Sequence, residues 1–312
     1  MLAKPLFRFV PDGTKIRFMN GRFAGLALSA VLSIGSLILF FTPGLNMGLD
    51  FRGGVVMQVQ TPQAADFPAL RAALAGAGLH DAALQAFGKG DNGVLISLES
   101  RDNAAQTQTA INEAVGALNK AAPGAKILST QAIGASVSHD LFTQGLEALG
   151  LSFVMILVYI WFRFEWQFAA GAVATLLLDT TKTIGFMVLT RLQFDLVSIA
   201  AILTIIGYST NDKVVVYDRV RENLRKYKTL PLRELIDLSI NETLNRTLGT
   251  SGTVFLAALP LALFGGHALE AFAWIMLFGI VVGTSSSIFI AAPILLFLGE
   301  KRLRRGAAPV KQ

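Results

Sequence analysis

The sequence predicts a polytopic α-helical membrane protein, with six transmembrane helices and one α+β domain between the first and the second. Three observations carry this. The chain of 312 residues is 53% hydrophobic and only 15% charged, whereas soluble domains carry about 25% charged residues. Six segments approach the ~20 mostly apolar residues that cross a bilayer. Between the first two lies a long segment, 42–140, whose periodicity is that of strands and amphipathic helices.

The first span is "GRFAGLALSAVLSIGSLILFF", residues 21–41. Its apolar core is longer than a signal-peptide h-region and no small-residue cleavage site follows, so it is read as a retained helix. The second covers 146–162 and ends "VMILVYIWF"; the third covers 168–189, the fourth 195–217, the fifth 247–265 and the sixth 270–298. Lys and Arg near span ends set orientation. Residues 1–22 hold five, Arg163 follows span two, residues 218–246 hold seven and the tail 299–312 holds five. The opposite side has Arg191, none in "GGHALE", and six in the long loop, which translocates largely regardless of charge. Both termini are therefore expected in the cytoplasm, with 1–20 as a short N-terminal segment.

Within 42–140, "VVMQVQ" alternates as a strand and "AADFPALRAALAGAGL" reads as a turn and a helix. "AALQAFG" and "VLISLE" read as strands either side of the turn "KGDNG". "NAAQTQTAINEAVGALNK" reads as a second helix and "AKILSTQAIGASV" as a last strand. The order β-α-β-β-α-β is the ferredoxin-like, split βαβ pattern. It carries no nucleophile–base–orienter set; Ser138, His139 and Asp140 are consecutive, which is not how a triad is built. With no cysteine and with His80, His139 and His267 far apart, neither a metal site nor thiol chemistry is expected. No "GxxxxGK[ST]" phosphate loop occurs. No catalytic residue, cofactor or nucleic-acid partner is expected.

The informative residues are charges inside spans, which cost about 2.5–3.5 kcal/mol each at a helix centre. Span three holds Asp179 near its midpoint and Lys182; span four holds Asn211, Asp212 and Lys213 in a row. Asp179 and Lys182, three apart, share a face and can pair. Asp212 and Lys213 point about 100° apart, so one partner cannot satisfy both. The four charges sum to zero, which suggests a polar cluster between spans three and four. Such a cluster is either packing glue, since buried pairs are weak evidence for stability, or an ion path, the default for intramembrane ionisable residues. Positive neighbours favour the ionised carboxylate and burial disfavours it, so a change of partner would change ion affinity.

Residues 218–246 read as a cytoplasmic amphipathic connector. Thr229 can cap a helix with Pro231 in its first turn, and Leu232, Leu235, Ile236 and Ile240 form one apolar stripe, as in a helix lying on the membrane surface. Arg246 closes it at the mouth of span five, as a candidate third partner for Asp212. In span six, Gly279 and Gly283 of "GIVVGTSSS" read as close helix packing.

"GLDFRGG" (48–54), "GYSTNDKVVVYDRVREN" (207–223) and "NETLNRT" (241–247) together resemble the SecF branch of the bacterial SecD/SecF protein-export family. The resemblance covers essentially the whole chain and implies the architecture of the resistance-nodulation-division (RND) transporters, with 42–140 in the periplasm and 141–298 as the bundle of spans two to six. It implies SecD and the SecYEG translocon as partners, a translocating preprotein as cargo, an inner-membrane location, and use of the ion-motive (proton-motive) force. By the same resemblance Asp212 and Arg246 match residues of the ion path, and Asp179 matches the acidic residue of span three. Asp50, Arg52, Gly53 and Gly54 fall where the first span joins the periplasmic domain, with a structural or partner-contact role; the two glycines permit a backbone turn. The family often has Thr after the span-four Asp and His before the span-three Asp; here stand Lys213 and Leu178, and Lys182 is a further departure. The added ammonium groups favour ionised carboxylates, and SecD would then supply the titrating group. The rival readings are half of an RND-type drug or lipid exporter, disfavoured by the single small domain, and a passive scaffold subunit.

Overall fold

The computed structural model describes residues 10–11, 14–86, 90–99, 101 and 103–297. The tail 299–312 and Lys4 and Arg8 of the N-terminal segment lie outside the described residues. Among the described residues six helices are long and apolar enough to cross a membrane, so the chain is a multi-pass helical membrane protein.

The chain enters through a short 3-10 turn, Phe18–Asn20, and α1, Arg22–Phe41. After β1 (Asn46–Met47) and the single turn α2 (Leu49–Arg52) comes β2 (Gly54–Gln60), then α3 (Phe67–Gly76), β3 (Ala83–Ala86) and β4 (Gly93–Leu98). The unit continues with α4 (Ala104–Ala121) and β5 (Lys126–Ile133). Its sheet is antiparallel in the order β3-β4-β2-β5. Alternation decides its faces: Val55, Met57 and Val59 of β2 and Val94 and Ile96 of β4 are buried against Leu70, Leu74, Ala114 and Leu118 of α3 and α4. Asp66 accepts from the Ala69 N–H (3.0 Å) and Asn103 from the Gln106 N–H (2.9 Å), which starts both helices where the sequence calls for a cap.

The remaining elements are α5 (Ala135–Arg163), α6 (Trp166–Thr190), β6 (Gln193–Phe194), α7 (Leu196–Lys226), α8 (Leu232–Phe264) and α9 (His267–Ser286). A π-helical turn at Ser287–Ala291 joins α9 to α10, Ala292–Phe297. α5 begins at Ala135, so "ASV" belongs to the second span's helix and not to the last strand. In the centre, α6, α7 and α9 are buried over 50%, 56% and 61% of their apolar windows; α1, α5 and α8 are buried over only 17%, 11% and 17%. The outer helices turn Leu, Val, Ile and Phe side chains outward, as lipid or a neighbouring subunit requires. α1 meets α6 through small residues, with Ser36 on Gly185.

One expectation fails here. Residues 218–246 are not a separate helix lying on the membrane. α7 runs to Lys226 and α8 runs unbroken from Leu232 through span five. The stripe Leu232, Leu235, Ile236 and Ile240 is buried in the same core as Val220 and Leu224 of α7. An apolar stripe says only that a helix buries one face; a helical neighbour covers it here in place of lipid. Pro231, not Thr229, occupies the cap position.

Candidate functional site

α7 carries two sites back to back. Lys213 faces α6, where its Nζ lies 2.9 Å from Asp179 Oδ2. The same oxygen accepts from the Ser209 hydroxyl (2.9 Å) and the Ser286 hydroxyl of α9 (2.6 Å). Lys182 reaches the other oxygen, Oδ1, at 3.4 Å. Lys213 also donates to the Ser209 hydroxyl and, at 3.3 Å, to the Ser286 hydroxyl. Asp179, Lys182 and Lys213 are 2%, 4% and 1% exposed. Charges this deep require partners, and Asp179 has four donors.

Asp212 points the other way, as the ~100° step between consecutive helical residues requires. Its Oδ2 accepts from the Ser251 hydroxyl of α8 at 3.2 Å and the Thr284 hydroxyl of α9 at 3.4 Å. Ser251 and Thr284 lie 2.7 Å apart, so their two protons serve three contacts, and while one hydroxyl donates to the other only one donates to Asp212. These residues, with Tyr208 and Gly283, line a cleft of about 10 Å³, the lower limit for one water. Among the described residues no cation pairs with Asp212. Of the partners expected for Asp212, which are Lys182, Arg246 or a SecD half, neither cation of this chain meets it. Lys182 is taken by Asp179. Arg246 is exposed, and lies five residues before Ser251, about 140° around α8. Thr247, one turn before Ser251 on the same face, is buried, and its hydroxyl has no hydrogen-bond partner among the described residues.

The predicted site thus divides. Asp179, Lys182 and Lys213 come together, Asp212 stands apart with two hydroxyls, and Arg246 and Asn211 lie on the surface. The sequence reading missed Ser209, Ser251, Thr284 and Ser286. Ser209 was accessible as the residue four before Lys213 on one face. Thr284 and Ser286 sit in the run read only for its small size. Nothing in the sequence marks Ser251.

Glu242 of "NETLNRT" accepts from Arg219 (2.7 Å) and Asn223 (2.7 Å), tying α8 to α7 on the basic side. Asn241 of the same motif accepts from the Ile16 N–H (3.0 Å) and donates to the Ile16 carbonyl (2.8 Å), while Asp237 accepts from the Met19 N–H (2.9 Å). The N-terminal segment is thereby strapped to α8.

At the other end, Asp50 Oδ2 accepts from the Leu196 N–H (3.1 Å) and Asp195 from the Ser198 N–H (2.7 Å). Both carboxylates sit on the positive end of α7. β1 pairs in parallel with β6, which fixes "GLDFRGG" to the α6–α7 connection. Gly53 and Gly54 adopt φ of +69° and +111°, which a side chain would strain. Arg52 is exposed beside them.

Comparison with known proteins finds relatives along nearly the whole chain. Residues 114–301 match the family model "Protein export membrane protein SecD/SecF, C-terminal" and residues 38–65 match "SecD/SecF GG Motif". A protein translocase subunit SecF of Cereibacter sphaeroides is 41% identical over 95% of this chain and 93% of its own length. The Rickettsia rickettsii subunit is 43% identical over 94% and 96%. The crystal structure of SecDF from Thermus thermophilus superposes with a TM-score of 0.82 at 30% identity, covering 92% of this chain and 39% of that one. SecDF in a super-membrane-facing form gives 0.63 at 29% identity, over 97% and 41%. This chain spans about two-fifths of those SecDF chains. With one family model over most of its length and relatives above 40% identity from end to end, the chain belongs to the SecD/SecF protein-export membrane protein family.

Proposed function

We propose that this SecF-type translocase subunit couples an ion-motive force to protein export, with Asp212 as the group that takes up and releases the ion. The observation that carries this is the unequal treatment of two buried carboxylates. Asp179 is saturated by lysines and serines, while Asp212 has two neutral hydroxyls, themselves 2.7 Å apart, beside a water-sized cleft. Charged partners hold a carboxylate in one state; hydroxyls, which both donate and accept, serve a carboxylate and a carboxylic acid alike. Lys213, adjacent in sequence, is committed to Asp179, so it does not hold Asp212 permanently ionised by direct contact. Ser251 and the unpartnered Thr247 hydroxyl, one turn apart on α8, extend a polar face toward the basic end of the bundle. Arg246, exposed at that end, is available to a partner subunit.

On this reading Asp179, Lys182 and Lys213 form the fixed frame against which Asp212 works. Asp50, Gly53 and Gly54 hold the junction to the domain over 42–140, and Arg52 and Asn211 are free to meet a partner. The β-α-β-β-α-β order and the sheet order β3-β4-β2-β5 support a ferredoxin-like fold for that domain. The excess of Lys and Arg at one end of the bundle supports cytoplasmic termini in a bacterial inner membrane and a periplasmic domain. The partners are SecD, supplying the second half of an RND-type architecture, and SecYEG with its preprotein, in a lipid bilayer.

The test is export of a secreted preprotein in cells whose only copy carries Asp212→Asn, at matched expression and with SecD assembly verified. Poor export that an uncoupler barely worsens supports the proposal. Normal, uncoupler-sensitive export makes the charges packing glue and the subunit a scaffold.

A further inference from the structure

We infer that span six is a register switch: the π-helical turn at Ser287–Ala291 passes to Gly279–Gly283, exchanging Thr284 for Ser285 at Asp212 and Ser286 for Ser287 at Asp179. This deepens the ion-coupling reading of Asp212 and rests on it. A π turn is an α-helix carrying one extra residue, and such turns concentrate at functional sites. Here the turn begins immediately after the residues that touch both carboxylates. While the extra residue lies beyond them, Thr284 and Ser286 continue the register of α9. If it moves before them they join the register of α10. The segment then rotates by about 100° and advances about 1.5 Å, and each place is filled by the residue one position later.

In most sequences that shift would leave both carboxylates facing an apolar side chain. In this one Thr284, Ser285, Ser286 and Ser287 are consecutive, so both places beside the carboxylates receive another hydroxyl. The two incoming residues are otherwise unused. Among the described residues Ser285 is exposed and donates to the Val282 carbonyl alone at 2.9 Å, and Ser287 is buried and donates to the Gly283 carbonyl alone at 2.8 Å.

Pro293 brings no N–H to the present π turn, so the helix there gives up one hydrogen bond fewer by widening. The Tyr217 hydroxyl of α7 donates to the Ala291 carbonyl at 3.0 Å, which holds the turn where it stands. At the receiving end Gly279 and Gly283 pack tightly under Ile205 and Ser209 of α7, and the shift brings Thr284 to the place of Gly283, where a Cβ lies 3.1 Å from Ser209, so α7 gives by a few tenths of an ångström as the turn passes. Because one rotation re-ligates both carboxylates, ion exchange at Asp212 and the hydrogen bonding of the Asp179–Lys213 pair change together.

The experiment uses the full chain assembled with its partner in inner-membrane vesicles, comparing Ser285→Ala and Ser285→Thr. Losing a hydroxyl that serves a carboxylate costs about tenfold. Ser285→Ala is expected to slow ion-driven export by about that factor with assembly unchanged, and Ser285→Thr to restore it. The chain has no cysteine, so cysteine pairs report register directly. Ser251→Cys with Thr284→Cys should form a disulfide in resting vesicles, and Ser251→Cys with Ser285→Cys only in energised ones. Wild-type export by Ser285→Ala, or no 251–285 disulfide under any condition, overturns the switch. Asp212→Asn is run alongside. If it fails to export while Ser285→Ala is normal, the switch alone is wrong; if it exports normally, the ion-coupling reading falls and the switch with it.

Discussion

Asp179 and Asp212 are both carboxylates inside transmembrane helices, 2% and 5% exposed, and they are bound in opposite ways. The Asp179 site is a closed ionic cluster reaching α6, α7 and α9, with its shortest contacts at 2.6 and 2.9 Å. The Asp212 site is a pair of longer hydroxyl contacts, 3.2 and 3.4 Å, from α8 and α9 beside a small cleft. The difference separates two uses of buried charge. A group ligated by opposite charges is held by desolvation, since removing either partner strands the other. A group ligated by hydroxyls can change state without stranding anything. Lys213 and Asp212 are neighbours in sequence, and one helical step assigns one to each use.

The comparison breaks most decisively at Lys213. Lys213→Met leaves Asp179 with the longer Lys182 contact and two hydroxyls. Breaking a buried ion pair on one side costs about 3–5 kcal/mol, and the remaining Lys182 contact places the expected loss at the low end of that range. The expected outcome is a large loss in unfolding free energy, read by denaturant titration of the purified complex in detergent, with low membrane yield. A change under about 1 kcal/mol would mean that Asp179 is not held by that ion pair, and the closed half of the comparison would be lost.

Ser286→Ala sharpens the same half with a smaller effect. It removes the 2.6 Å donor to Asp179 and leaves both lysines. Hydrogen bonds to charged groups contribute about 1.5–3 kcal/mol. The matching change on the other side, Thr284→Val, removes a 3.4 Å contact to Asp212 and the 2.7 Å bond to Ser251, whose hydroxyl keeps Asp212 as its acceptor, and is expected to cost about 1 kcal/mol, less than Ser286→Ala. Measured side by side in one titration, equal losses would erase the distinction between a saturated and a half-open carboxylate.

How much of this was legible in the sequence follows from what each residue type must do. Charged residues in apolar runs announce themselves, because few environments pay for their desolvation, and so Asp179, Lys182, Asp212 and Lys213 stood out. The 100° step already said that Asp212 and Lys213 serve different partners. Gly53 and Gly54 stood out because paired glycines before a strand have few other uses. Serine and threonine do not stand out: in a membrane helix they bond their own backbone, as Thr204 and Thr210 do at 2.7 Å, and look the same whether or not they also reach a carboxylate. Ser251 and Thr284 were invisible for that reason. Periodicity gives the apolar face of Leu232–Ile240 but not what covers it, so lipid and a helical neighbour look alike in the sequence. The π turn leaves no compositional mark beyond Pro293.

Asp212→Asn is expected to move stability least and function most. Asparagine keeps the volume and a carbonyl that accepts from Ser251 and Thr284, and its amide can donate to either hydroxyl. No lysine loses a partner, since none pairs with Asp212 among the described residues. The unfolding free energy should therefore change by less than about 1 kcal/mol, while uncoupler-sensitive export is lost. That combination cannot come from the ionic cluster, where losing a charge loses the fold before the function can be asked about. If Asp212→Asn instead destabilises the complex as much as Lys213→Met, Asp212 is paired in the assembled complex to a cation of another subunit. Exposed Arg246 would then not be its counter-charge within the chain, and both carboxylates would belong to one frame, with the coupling ion carried elsewhere.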